Sequence, residues 1–173
     1  MFAPGDYVIY GHTGICQVVG TTTMNMDGVP KDRLYYVLRP DGATEGTIFT
    51  PVENPKVAIR RTMSKKEARE LLDEIPGIET LDIANDKLRE EKYRECMKTC
   101  ESRELVRVIK TIQMRKKDRL SRRKKVTATD ERYLKMAEDY LYAELSLLLD
   151  IPKKSIGSYI VSYLSRNQEP AKG

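Results

Sequence analysis

The sequence has no tryptophan, a single histidine (His12), two phenylalanines and three cysteines among its 173 residues. Each scarcity excludes something. The cysteines, Cys16, Cys96 and Cys100, are odd in number, and two of them stand four apart in a helical stretch, which argues against a disulfide framework. A structural zinc wants four ligands, and His12 is the only further soft donor, so no metal is expected. Catalysis needs convergent groups, yet the chain has no glycine-rich phosphate loop ending in Gly-Lys-Ser/Thr and no nucleophile elbow. Glu90 and Glu91 are adjacent on a helix and point apart, and the glycines of Gly11-His12-Thr13-Gly14 suit φ > 0 in a hairpin better than a phosphate cradle. Enzyme activity, a cofactor and a small-molecule substrate are therefore not expected. Long apolar runs are also missing: none approaches the ~18 residues of a membrane span. The opening MFAPGDYVIY has neither a basic n-region nor an apolar h-region. These features imply a cytoplasmic protein without a membrane partner.

What is present is a globular composition, 40% hydrophobic and 33% charged, with a formal net charge of +5. The charge is uneven. Residues 1–59 hold four cationic against six anionic side chains, whereas residues 103–125 hold eleven Lys or Arg against Glu104 and Asp118 alone. Such a run is ordinarily a solvated helix end. Nine uncompensated charges nevertheless repel one another unless an acidic surface or a phosphate backbone faces them, which favours nucleic acid.

The periodicity changes along the chain. Residues 7–10, 15–24, 34–38, 47–51 and 57–60 are rich in β-branched and aromatic residues and are punctuated by glycine turns, which predicts five short strands. Five strands in so short a stretch suit a small SH3- or Tudor-like β barrel with Tyr7, Ile9, Ile15, Val18, Tyr36 and Leu38 inside. After Thr62 the pattern turns helical. Ser64-Lys65-Lys66-Glu67 reads as a capping box for a helix ending near Pro76-Gly77. Further helices are predicted from Asn85 to Thr99, from a cap at Ser102 along Leu105, Ile109 and Ile112, and from Thr127 along Leu134, Ala137, Leu141, Leu145 and Leu148. A final helix, capped by Ser155, runs to Leu164, with a frayed tail from Asn167. The fold class is thus α+β: a barrel domain over residues 1–62 and a helical bundle over residues 63–173.

Several local patterns resemble the CarD family of bacterial transcription regulators. They are Gly5-Asp6-Tyr7-Val8-Ile9-Tyr10 with His12-Thr13-Gly14, Leu34 to Leu38, Thr47-Ile48-Phe49-Thr50-Pro51, Tyr93-Arg94, the helix from Leu105 to Lys117, and Ala143-Glu144-Leu145-Ser146-Leu147. The barrel is also similar to the polymerase-binding module of transcription-repair coupling factors. The resemblance implies a Tudor-like domain that lays a strand edge on the RNA polymerase β subunit. It also implies a helical domain that touches promoter DNA at the upstream edge of the bubble, modulating open-complex stability without reading sequence, in a nucleoid-associated protein. The implied polymerase contact comprises Thr22, Met24, Asn25, Ile48, Phe49 and Thr50. Met24 and Phe49 stand where the family has basic residues, and either suits the barrel core as well as the contact. The family's tryptophan wedge, four residues before the tyrosine matched by Tyr93, is Arg89 here, beside Leu88. Phosphate contacts are implied for Arg94, Arg115 and Arg132, and the sequence adds Lys116, Lys117, Arg122, Arg123, Lys124 and Lys125. A non-enzymatic adaptor whose basic loop docks an acidic partner is the alternative; an RNA-binding factor lacks the aromatic platform that single strands want.

Overall fold

The computed structural model describes residues 1–53 and 55–168. The chain divides into two compact units, one ending at Thr62 and the other beginning at Met63.

The first unit is one antiparallel sheet of five strands: β1 (Tyr7–Tyr10), β2 (Gly14–Thr23), β3 (Leu34–Pro40), β4 (Ile48–Pro51) and β5 (Ile59–Arg61). Their order is β4-β3-β2-β1-β5, so β4 and β5 are the two edges, and no ladder joins them. The sheet is open in place of the closed ring that strand number and length predict. Edge strands of four and three residues leave little backbone for a further ladder. A groove of about 370 Å³ lies at this seam, with Phe49, Thr50 and Pro51 of β4 on one side and Tyr10, Lys56 and Val57 on the other.

The β1–β2 connection is a single 3₁₀ turn, Gly11–Thr13, followed by Gly14 at φ 83°. Gly11 itself has φ 44°, and a Cβ there would collide with Val57 Cγ1. Both glycines are thus set by backbone geometry. The sheet core is Val8, Cys16, Val18, Tyr36 and Leu38, flanked by Phe2, Tyr10, Ile48, Val52 and Ile59. Ile9 and Ile15 are buried as expected, but on the other face from this cluster. Tyr7 pairs with Gln17 and Ile9 with Ile15 on the opposite face, whereas Val8 opposite Cys16 enters the core. The register shifts between Val18 and Gly20, so the two halves of β2 follow different alternations.

The second unit holds five helices: α1 (Lys65–Glu74), α2 (Arg89–Lys98), α3 (Ser102–Ser121), α4 (Ala128–Leu149) and α5 (Lys153–Gln168). Their apolar faces share one core that includes Leu72, Tyr93, Val108, Ile112, Leu141, Leu145 and Ile156. The capping box of α1 has both of its bonds, Ser64 Oγ to Glu67 N–H and Glu67 to Ser64 N–H. Thr127 caps α4 by accepting from Asp130 N–H. Two expected caps lie inside their helices. Ser102 is the first residue of α3, behind Glu101, and Ser155 sits within α5, which begins at Lys153. Helix α5 also continues past Leu164 to Gln168, where Asn167 Nδ2 donates to Asp73 Oδ1 at 3.2 Å; the rest of the expected tail lies outside the described residues. The Ala143–Leu147 segment anchors the start of this unit, because buried Glu144 accepts from Met63 N–H at 2.8 Å. Among the described residues, no helix is long and apolar enough to cross a membrane, and no group of His, Cys, Asp or Glu is arranged to hold a metal.

Candidate functional site

The first unit contributes a sheet border and the second two basic groups. In the first, β4 bonds only to β3, with Ile48 opposite Leu38, Phe49 opposite Val37 and Thr50 opposite Tyr36. Val52 N–H donates to Leu34 O at 3.0 Å. Because bonded pairs alternate along an antiparallel ladder, Thr50 and Ile48 also turn their backbone groups to β3, and Phe49 turns its N–H and C=O outward. Pro51 then occupies an outward position where its missing N–H costs no ladder bond. Phe49 is 47% exposed and, with Val37, lies on the face away from the sheet core; Met24 is half-buried beyond the end of β2 and is outside that core as well.

The six contact residues implied by the resemblance do not form one border. Thr22 pairs with Tyr35 of β3, and β3 separates it from Ile48, Phe49 and Thr50; Met24 and Asn25 follow the end of β2 and belong to no strand. Thr22 Oγ1 donates to Thr23 O at 3.2 Å.

In the second unit the cationic run resolves into two populations. Arg103 forms a two-pronged pair with Glu74, at 2.7 and 2.8 Å. Arg107 pairs with Glu104, and Lys110 donates to Ile75 O at 2.7 Å and to Ile78 O at 2.5 Å, closing the exposed carbonyls behind α1. These three side chains hold the unit together. At the other end, where α3 gives way to α4, Arg119 Nε donates to Lys125 O and Arg122 reaches Asp118 at 3.4 Å. Lys116 is half-buried and acts on the neighbouring Glu138 by charge. Lys117, Arg123, Lys124 and Lys125 are exposed and form no ion pair among the described residues. Arg123 turns the chain with φ 58°.

A second basic group surrounds the start of α2. Arg89 donates to Asp86 Oδ1 at 2.8 and 3.1 Å and to Tyr93 Oη at 3.3 Å. Tyr93 donates to Asp130 Oδ1 at 2.9 Å, and Arg115 closes the ring with Asp130 Oδ2 at 3.2 Å and Asp86 Oδ1 at 3.5 Å. The Arg115 contact to Asp130 is an ion pair too bent to be a hydrogen bond, so Oδ2 is compensated by charge alone. One turn further on, Glu90 Oε1 accepts from Arg132 at 2.7 Å, from Tyr133 Oη at 3.2 Å and from Arg94 at 3.4 Å. Arg132 also lies over the Tyr133 ring, 5.2 Å from its centroid.

The implied DNA residues therefore fall into two places. Leu88, Arg89, Arg94, Arg115 and Arg132 gather around the start of α2, while Lys116 and Lys117 lie on the last turns of α3 and Arg122 to Lys125 in the turn that follows it. Missing from that sequence reading were Asp86, Glu90 and Asp130, the carboxylates between the arginines. A spacing of four between Asp86 and Glu90 hints at a shared face, but their link to α3 and α4 is long-range.

Residues 2–63 match the family model described as the CarD-like/TRCF RID domain. The match spans the first unit, about a third of the chain, and agrees with the resemblance read from the opening motifs. No curated protein matches the chain. The matched domain is an RNA polymerase-interacting one, which gives the chain a role connected with transcription.

Proposed function

We propose that this chain is a non-enzymatic transcription regulator: its sheet unit adds a strand to the RNA polymerase β subunit, and its helical unit lies on promoter duplex beside the bubble. Strand addition draws its affinity from main-chain groups, and the outward N–H and C=O of Phe49 supply one such pair at an unpaired edge. The Phe49 ring and the adjoining groove then give an apolar contact where the family has basic residues. Binding to duplex rests on phosphate attraction, which carries no sequence information.

The observation that supports this reading most is the free charge at the α3–α4 turn. Residues 116–125 carry seven cationic side chains against Asp118, and the side chains of Lys117, Arg123, Lys124 and Lys125 form no ion pair among the described residues. Leu88 is the better candidate for a wedge than Arg89. It is 45% exposed immediately before α2, whereas the Arg89 side chain is 17% exposed and tied to Asp86 and Tyr93. An apolar wedge opens a base step by displacing stacking contacts, and leucine does so with less area than an indole. The test is the lifetime of promoter complexes formed by polymerase with the full chain. Leu88→Trp should lengthen it and Leu88→Ala shorten it; equal lifetimes for all three proteins would remove Leu88 from the mechanism. Salt-sensitive binding to an unrelated duplex separates this reading from an adaptor that docks an acidic protein.

A further inference from the structure

We infer that Asp86 and Glu90 sit in two anion seats which the phosphates of a nucleic-acid backbone take over on binding, so that the surface at the start of α2 is masked by the chain's own carboxylates. The inference rests on the duplex-binding reading above and adds to it a regulation of that surface.

The geometry has three parts. Each carboxylate bridges two arginines: Asp86 joins Arg89 and Arg115, and Glu90 joins Arg94 and Arg132. Three of the four guanidinium groups are held from behind by something the ligand does not touch. Arg115 is fixed by Asp130, which is fully buried, Arg89 by the buried Tyr93 hydroxyl, and Arg132 by the Tyr133 ring. The outer partners, by contrast, face water. At the first seat the Asp86 side chain is 74% exposed while those of Arg89 and Arg115 are below 20%; at the second, Glu90 is 41% exposed and lies between the more exposed Arg94 and Arg132. At the first seat both cations are thus preorganised and the anion is the replaceable member; at the second, Arg132 is held by the Tyr133 ring and Arg94 is free to follow the incoming anion.

A phosphate diester fits these seats by chemistry. It carries one negative charge and two unesterified oxygens, matching a carboxylate between two guanidinium forks. Asp86, in the 3₁₀ turn that leads into α2, and Glu90, in the first turn of α2, are four residues apart, so the two seats are neighbours at the start of α2 and suit successive anions along a strand. Exchange costs little Coulomb energy at the exposed side, because water and salt screen an ion pair there. Counterion release from the nucleic acid drives the replacement. The masking lowers the affinity of the free protein for duplex.

The experiment compares the full chain with Asp86→Asn, Glu90→Gln and the double variant in binding to a fluorescent duplex of arbitrary sequence across a salt series. Asn and Gln keep an acceptor oxygen for the arginines and remove only the charge. Glu91→Gln is the control, since Glu91 is exposed on the same turn and bridges no arginine pair. Each seat variant should tighten binding roughly tenfold near 0.1 M salt and steepen the slope of log K against log salt by ~0.9, with Glu91→Gln doing neither. Gains equal to those of Glu91→Gln, or no gain, overturn the inference and leave the duplex reading standing. Failure of the unchanged chain and of every variant to bind duplex at low salt overturns the duplex reading itself. Melting curves accompany each protein, and Asp86→Ser replaces Asp86→Asn if the latter lowers the melting temperature.

Discussion

The Tyr93 hydroxyl donates to Asp130 Oδ1 across 2.9 Å, joining α2 to α4 through two side chains that solvent does not reach. Asp130 is charged and buried, and its second oxygen has only the Arg115 guanidinium beside it. The ring that runs from Tyr93 through Asp130, Arg115, Asp86 and Arg89 therefore fixes three helices relative to one another. Its weak point is any change that leaves Asp130 short of a partner.

Tyr93→Phe makes that change without altering volume. A buried acceptor that loses its donor costs ~1–3 kcal/mol, so urea unfolding of the variant should show a loss in that range. A midpoint unchanged from the parent protein would mean that the ring contributes nothing to stability.

The same residue sets an alkaline limit. Burial, with Asp130 close by, pushes the Tyr93 hydroxyl from its ordinary value of 10 up to about 12. Burial, with Glu138 near, does the same to Tyr142, also to about 12. The unfolded chain releases these protons from pH 10 upward while the folded chain retains them, so the contribution of these two hydroxyls to folding stability is level below pH 10 and is lost as pH climbs toward 12. Thermal melting across that interval should show the decline, and Tyr93→Phe should flatten part of it.

Cysteine chemistry offers an independent check on both cores. Cys16 has no exposed surface, and burial, helped by the charge of Asp41, raises its thiol to about 11; burial and Glu104 raise Cys96 to about 12. Thiolate is the reactive form, so at pH 8 iodoacetamide should modify neither residue in the native protein and both after denaturation. Rapid native modification of Cys16 would show that the sheet core opens readily.

Gly11→Ala tests the turn between β1 and β2. The residue needs φ 44°, and its new methyl would meet Val57, so the first unit should lose ~1–3 kcal/mol. Gly5→Ala is the comparison: φ is also positive there, at 93°, but a Cβ meets nothing within 4 Å. A melting temperature lowered equally by both changes would assign the cost to backbone strain alone.

Changing Arg123, Lys124 and Lys125 together to Glu should leave stability nearly unchanged, because none of the three side chains pairs with a described carboxylate. Duplex affinity should fall steeply, and the salt slope should flatten by ~0.9 for each phosphate that the turn no longer neutralises. Unaltered affinity would show that this turn stays in solvent.

The sequence showed where elements lie better than which way they face. All five strands were visible because β-branched and aromatic residues cluster between glycine turns. In β1, however, Tyr7, Val8, Ile9 and Tyr10 are all apolar, so alternation cannot choose a face; the register put Val8 inside and Ile9 on the other side. The shift at Val18 and Gly20 reversed the alternation partway along β2. Ser64 was recognisable as a cap because Glu67 completes the box, whereas Ser102 and Ser155 lack such a partner and fell inside the first turn. The electrostatics were the least legible part. A run of eleven cations looks uniform in sequence, yet Arg103 meets Glu74 and Arg115 meets Asp86, each 29 residues away, and only the fold reveals which charges are already matched.

The central claim, that the border of β4 grips RNA polymerase, is tested most directly by Phe49→Pro in the full chain. Proline there removes the outward N–H and spares the bonds to β3, since the ladder uses Ile48 and Thr50. In pull-down against purified polymerase, the unchanged chain should retain the enzyme and cross-link to its β subunit, and Phe49→Pro, still folded by circular dichroism, should lose it. Equal retention of polymerase by both proteins, or by neither, would contradict the claim.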